Sequence, residues 1–228
     1  MTSRSSAREL HPGSASRPLR IARRIANRVV RTVFRMRVTG MENLPAHGPV
    51  LLAGNHSGFL DGPLVYMVLS RHAAFLVKSE LERGPFRRVL NFAMQIPVHR
   101  GTPDRTALQA GLAVLRDGGV LGMFPEGTRG EGGLVAIQHG IGYLALHGNV
   151  PIVPVVCRGT AEALPKGRYL PRWRAPIDIV IGEAFVLDVP GDPRARSTVA
   201  AATEQVRQRL LAHLTDVSRQ SAPTGTAA

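Results

Sequence analysis

Residues 50–64 read VLLAGNHSGFLDGPL. The run Val50–Ala53 is apolar and suits a strand buried on both faces. Gly54, Ser57 and Gly58 favour a loop after it. Asp61-Gly62-Pro63 then has the composition of a helix start, with Asp61 as N-cap and Pro63 in the first turn. Strand, loop and helix in that order form one unit of an α/β layer. In such sheets ligands gather beyond the carboxyl ends of the strands, where this loop lies.

The same alternation continues on both sides. Apolar and β-branched runs predict strands at 36–40, 49–54, 73–77, 95–99, 119–124, 151–157 and 177–182. Helical spacing predicts helices at 61–71, 84–94, 104–117, 137–147 and 196–217. In the third of these, Ala107, Leu108, Gly111, Leu112 and Leu115 make one apolar face. The expected fold is therefore α/β, a mostly parallel central sheet flanked by helices.

A different segment precedes it. Residues 18–37, PLRIARRIANRVVRTVFRMR, place Leu19, Ala22, Ile25, Ala26, Val29, Val30, Val33 and Phe34 at helical spacing. Seven arginines between Arg17 and Arg35 fill the gaps, and no acid occurs. Such a basic amphipathic helix, expected over 17–37, can lie in a lipid interface with its arginines on anionic head groups. It can equally dock on its own domain with a solvated basic face. Residues 1–16 and 218–228 are rich in small and polar residues and read as disordered.

The bulk numbers agree with a single domain that has anionic partners. Of 228 residues 44% are hydrophobic, and the net charge is +13, carried almost wholly by arginine. Nucleic acid is not expected, because aromatics are only 5% and no recognition motif is present. The single cysteine, Cys157, lies in an apolar run and reads as a buried thiol, so no internal disulfide is possible. No apolar run approaches the ~20 residues of a spanning helix, and no signal-peptide core follows the N-terminal charges. The chain is expected to be non-secreted and non-spanning. No zinc-type ligand spacing is present, and neither metal nor cofactor is expected.

Four short elements carry possible chemistry. In the first, His56 and Asp61 would be rotated about 140° apart on a regular helix, so only a loop lets them meet. Once met, the carboxylate would fix the imidazole tautomer and leave the other nitrogen to take a proton from an alcohol. The bland alternative is that Asp61 is only a helix cap. Ser57 is displaced by one from a nucleophile elbow, so direct transfer with His56 as base fits better than a covalent serine. The second element, Phe124-Pro125-Glu126-Gly127-Thr128-Arg129-Gly130, follows the strand Val120–Phe124. Gly127 permits close backbone approach, and Arg129 offers a planar fork for phosphate. The third, Pro97–Gly101, supplies Arg100. The fourth, Val150–Val155, has no chemistry of its own and reads as a pocket wall or an edge strand.

In order and spacing, these elements resemble the four blocks of the glycerolipid acyltransferase family, typified by the bacterial 1-acylglycerol-3-phosphate acyltransferases. Asn55-His56…Asp61 resembles the first block, Ile96–Arg100 the second, Phe124–Arg129 the third and Val150–Val155 the fourth. The resemblance spans roughly residues 38–185, within an expected acyltransferase domain at 38–217. It implies His56 as general base with Asp61 as its partner. Arg129 and Arg100 would bind an acceptor phosphate, Glu126, Gly127 and Thr128 would shape the acceptor site, and Lys78 would stand near the phosphate. It also implies an acyl-CoA or acyl-carrier-protein donor, a phosphate-bearing lysolipid acceptor, and a peripheral place on the cytoplasmic face of an anionic membrane. The oxyanion is expected on backbone N–H groups near Gly127. Two departures bear on the acceptor pocket: His99 stands where the family usually has an acid, and Gln138-His139 where it often has a lysine. Glycerol-3-phosphate or another lysolipid as acceptor, and a non-catalytic basic binder, are the competing readings.

Overall fold

The computed structural model describes residues 16–83, 87–99, 104–127 and 133–221. Seven strands form: β1 (Arg35–Thr39), β2 (Val50–Gly54), β3 (Ala73–Lys78), β4 (Ile96–Val98), β5 (Val120–Met123), β6 (Ile152–Arg158) and β7 (Pro176–Ile181). They make one sheet in the order β1-β7-β6-β2-β5-β3-β4. Every pairing is parallel except β6 with β7, so β7 and β1 run against the other five.

The helices are α1 (Arg17–Val33), α2 (Asp61–Val68), α3 (Arg87–Phe92), α4 (Arg105–Arg116), α5 (Gly140–Gly148), α6 (Thr160–Ala163) and α7 (Arg196–Ser221). They cover both faces of the sheet. All five residues of β2 are buried, and its alternate side chains enter opposite cores. Val50 and Leu52 pack with Leu64 and Val65 of α2. Leu51 and Ala53 face Leu112 of α4, Leu144 of α5 and Val206 of α7. Burial on both faces is what a continuous apolar run in a central parallel strand requires.

Some boundaries differ from expectation. The N-terminal helix ends at Val33, not at residue 37, because Phe34 turns extended and is buried while Arg35–Thr39 pairs with β7. Helix α2 stops at Val68. The Arg23 guanidinium gathers the carbonyls around and just past its end, donating to Tyr66 O (3.0 Å), Leu69 O (2.7 Å) and Arg71 O (3.0 Å). Helix α1 therefore docks on α2, with Leu19 buried. The fourth block is not an edge: β6 lies between β2 and β7. Pro154 is tolerated there because β7 ends at Ile181. Gly182 N–H still donates to Pro154 O (2.8 Å), but the amide that proline lacks would face the broken ladder. Residues 218–221, expected to be disordered, instead continue α7 to Ser221, and segments 1–15 and 222–228 lie outside the described residues.

Candidate active site

Three adjacent strands, β6, β2 and β5, end side by side, and each delivers part of one constellation. The loop after β2 carries His56. The ring Nδ1 meets Asp61 Oδ2 at 2.9 Å, with the carboxylate fully buried and the imidazole nearly so. Asp61 is not the N-cap of α2: Leu60 holds that position, and Asp61 is the first helical residue. Its oxygens point back into the loop. Oδ2 also accepts the Gly58 N–H (2.8 Å), and Oδ1 accepts the Thr160 hydroxyl. A buried carboxylate needs such partners to remain charged, and each charge-assisted bond is worth about 1.5–3 kcal/mol.

Thr160 begins α6, directly after β6. Its single proton goes to Asp61, so at the Ser57 contact (3.1 Å) Ser57 is the donor and Thr160 the acceptor. The Ser57 proton is thus directed away from His56, which argues against a serine nucleophile. Gly58 is required by the same crossing: a Cβ there would lie 2.8 Å from the Thr160 carbonyl carbon. Local spacing gave no hint of Thr160, which is 99 residues from Asp61 in sequence. The usable signal was a polar residue placed just beyond a buried strand's carboxyl end.

Other residues hold the ring. Asn55, buried, grips the Cys157 peptide of β6 from both sides, donating to its carbonyl (3.1 Å) and accepting its N–H (2.8 Å). This extends the β2–β6 pairing to the residue before His56. The imidazole stacks on Phe124 (centroids 4.7 Å apart, planes at 21°), and Phe124 in turn stacks on Phe75 (5.8 Å, 20°). With Nδ1 bound to the carboxylate, Nε2 has no hydrogen-bond partner among the described residues. It is the nitrogen available to a ligand.

From β5 comes Glu126, whose Oε1 accepts the His56 backbone N–H at 2.9 Å. Burial pushes this carboxyl above the ordinary glutamate range, the nearby Asp61 charge adds to that, and the His56 N–H bond opposes it. Gly127 sits at φ +69°, a conformation that favours glycine, and the Gln138 side chain packs against it. The Gly127 N–H donates to Phe124 O (3.1 Å), so that amide is not available as the expected oxyanion donor. Of the two residues replacing the expected lysine, Gln138 lies on the site and His139 turns to Thr203 of α7 (3.4 Å).

Lys78 ends β3 at the same end of the sheet and pairs with Glu80 (3.1 Å), both half exposed. Arg100, Thr128 and Arg129 lie outside the described residues. Cys157 is a buried free thiol, and burial pushes its ionisation well above the usual range, so it is no nucleophile.

A buried carboxylate on one imidazole nitrogen, with the other nitrogen open at the ends of three strands, suits proton abstraction from a hydroxyl. Comparison with known proteins shows which family the chain resembles. The chain is 28% identical over 182 residues to the 1-acyl-sn-glycerol-3-phosphate acyltransferase of Bacillus subtilis, covering 77% of this chain and 86% of that one. It is 33% identical over 128 residues to the enzyme of the same name from Borreliella burgdorferi, covering 54% of this chain and 51% of that one. The fold matches the crystal structure of the 1-acyl-sn-glycerophosphate acyltransferase PlsC from Thermotoga maritima with a TM-score of 0.60, at 23% identity, over 88% of this chain and 84% of that one. The Acyltransferase family profile matches residues 35–158, which span the dyad, Glu126 and every strand except β7. The protein described here belongs to the Acyltransferase family.

Proposed function

We propose that this protein acylates the free hydroxyl of 1-acylglycerol-3-phosphate, taking the acyl group from acyl-CoA or acyl-carrier protein and giving phosphatidic acid for phospholipid synthesis. The observation that carries the reading is the buried Asp61 carboxylate on His56 Nδ1, which leaves Nε2 open. Nε2 takes the proton of the acceptor hydroxyl as its oxygen attacks the thioester carbonyl. The C–O bond forms, the C–S bond breaks, and the departing thiolate takes the proton back from His56. By family resemblance the acceptor phosphate rests on Arg129 and Arg100, with Lys78 nearby. Anchoring by the phosphate makes the attack effectively intramolecular. The acceptor is assigned from what the relatives are named for.

The reaction is placed on the cytoplasmic face of the membrane, as a peripheral contact. Helix α1 docks through Leu19, Arg23, Ala26 and Val30, which leaves Ile21, Ile25 and Val29 exposed as a stripe at i, i+4, i+8. Arg17, Arg20, Arg24, Arg28 and Arg31 are exposed beside it, and the cytoplasmic leaflet is the anionic one. Among the described residues no helix is long and apolar enough to cross a membrane.

The test is free-thiol release from acyl-CoA by purified protein with a panel of acceptors. Release with 1-acylglycerol-3-phosphate and not with glycerol-3-phosphate or other lysolipids is expected. Preference for one of the others would reassign the acceptor, and no release with any acceptor or donor would overturn the reading.

A further inference from the structure

Between α6 and β7 the chain reads PKGRYLPRWR, residues 165–174. Three large apolar side chains stand in water there: Tyr169 is 98% exposed, Leu170 81% and Trp173 68%. Scattered surface hydrophobics are ordinary, but three within five residues are not. The loop is also braced. Arg168 N–H donates to Pro165 O (3.1 Å), Arg172 N–H to Ala163 O (2.8 Å) and Arg174 N–H to Val33 O at the end of α1 (2.6 Å). Folding thus holds these side chains outward without giving them anything to cover.

The charge around them has one sign. Lys166, Arg168, Arg172 and Arg174 interleave with the apolar residues, and no acid occurs between Glu162 and Asp178. Where the loop meets α1 and the edge strand β1, Arg31, Arg35, Arg37 and Arg174 line an open groove of about 480 Å³, with Asp178 as the one carboxylate. Tyrosine and tryptophan combine an apolar body with a polar tip, which suits the boundary between head groups and acyl chains. Arginine heads beside them suit lipid phosphates. The position is consistent with use. The loop leaves Thr160 after only α6 and enters β7 opposite Arg158, at the sheet end that carries the dyad.

We propose that loop 165–174 is a second lipid-contact element, separate from the α1 stripe. It inserts Tyr169, Leu170 and Trp173 into an anionic bilayer and holds lipid phosphates in the Arg31/Arg35/Arg37/Arg174 groove. One amphipathic helix leaves the rotation of the domain about its own axis free. A second contact at the active-site end fixes it and turns the dyad toward the bilayer. The inference rests on the membrane-surface reading above but not on the identity of the acceptor.

Trp173 is the only tryptophan, so it reports on this loop alone. The experiment titrates the full chain with phosphatidylcholine vesicles with or without phosphatidylglycerol, following sedimentation and Trp173 emission together. Binding to the anionic vesicles with a blue shift, and quenching by bromine-labelled lipid, is expected. Tyr169→Ser with Leu170→Ser should weaken vesicle affinity on the order of ten-fold while leaving thiol release on a soluble short-chain acceptor unchanged. Ile21→Ser with Ile25→Ser and Val29→Ser should weaken binding yet keep the Trp173 shift in the bound fraction. Sedimentation with unshifted emission overturns the loop proposal and leaves the α1 reading standing, whereas absence of any vesicle binding removes both. A shift that follows protein concentration alone, or that an acidic carrier protein produces and vesicles do not, makes the loop a protein-docking surface and also overturns the proposal.

Discussion

His56 and Asp61 stand five residues apart, and so do His99 and Asp104. Their contacts are almost the same, Nδ1 to Oδ2 at 2.9 Å in the first pair and 3.0 Å in the second. Their surroundings are not. The His99 side chain is 71% exposed, and Asp104 is the N-cap of α4, its Oδ1 on the Ala107 N–H (3.0 Å) and its Oδ2 on the His99 N–H (2.9 Å). Those two backbone bonds, before the imidazole, draw its carboxyl down to about 2. Asp61 has no exposed surface, and besides Gly58 N–H its partners are side chains brought from the start of α6, beyond another strand, and from the loop itself. One carboxylate finishes a helix and the other orients a ring. A spacing makes a base only where the fold buries the carboxylate, braces the ring and leaves the second nitrogen without a partner of its own.

Substitutions can break this contrast, the largest effect first. His56→Ala should lower turnover in the thiol-release assay by on the order of 10²–10⁴-fold, the range for a removed general base, while His99→Ala stays within about three-fold of wild type. Equal losses in the two variants would erase the distinction. Asp61→Asn keeps the shape but loses the charge that fixes the tautomer, and turnover should fall at least on the order of 10²-fold. Wild-type turnover in that variant would mean the ring is oriented by something else.

Thr160→Val leaves Asp61 Oδ1 buried and unpaired. We expect kcat to drop on the order of ten-fold with little change in the acceptor KM, and the melting temperature to fall, since such an orphaned bond is worth about 1.5–3 kcal/mol. Thr160→Ser should restore both, and a KM effect without a kcat effect would show that Thr160 does not act through the dyad. Asp104→Ala should cost about 1 kcal/mol, the worth of an N-cap, without changing turnover. Its pH dependence has a definite sign. Folding holds this carboxyl at about 2, below the ~3.9 of a free aspartate, so its stabilisation is complete above pH ~4 and is lost as pH falls through about 2. The stability gap between wild type and variant should close over that interval, and a gap that widened toward acid would contradict the assignment.

Much of the fold was legible because its signals are local. All seven strands lie within about two residues of the predicted spans, and the buried central ones such as β2 and β5 write themselves as apolar runs. Helix ends were less legible because distant groups set them. Arg23 stops α2 at Val68, and pairing of β1 with β7 stops α1 at Val33. The four-residue α6 has too little periodicity to be seen. At the site, His56, Asp61 and Glu126 were readable as motif residues that the fold brings together, whereas Thr160, the Phe124 stack and the grip of Asn55 on β6 depend on which strands become neighbours. The amphipathic stripe of α1 shows the same limit. Periodicity found an apolar surface, but only the packing separates the docked Leu19, Ala26 and Val30 from the exposed Ile25 and Val29.

The central claim concerns which nitrogen of His56 carries a proton, and ¹⁵N-resolved NMR of the histidine side chains at neutral pH reads that directly. The account predicts that the neutral form of the ring carries its proton on Nδ1, toward Asp61, and leaves Nε2 bare, a state that Asp61→Asn abolishes. A proton resident on Nε2 of His56, or a spectrum indifferent to Asp61→Asn, would contradict it.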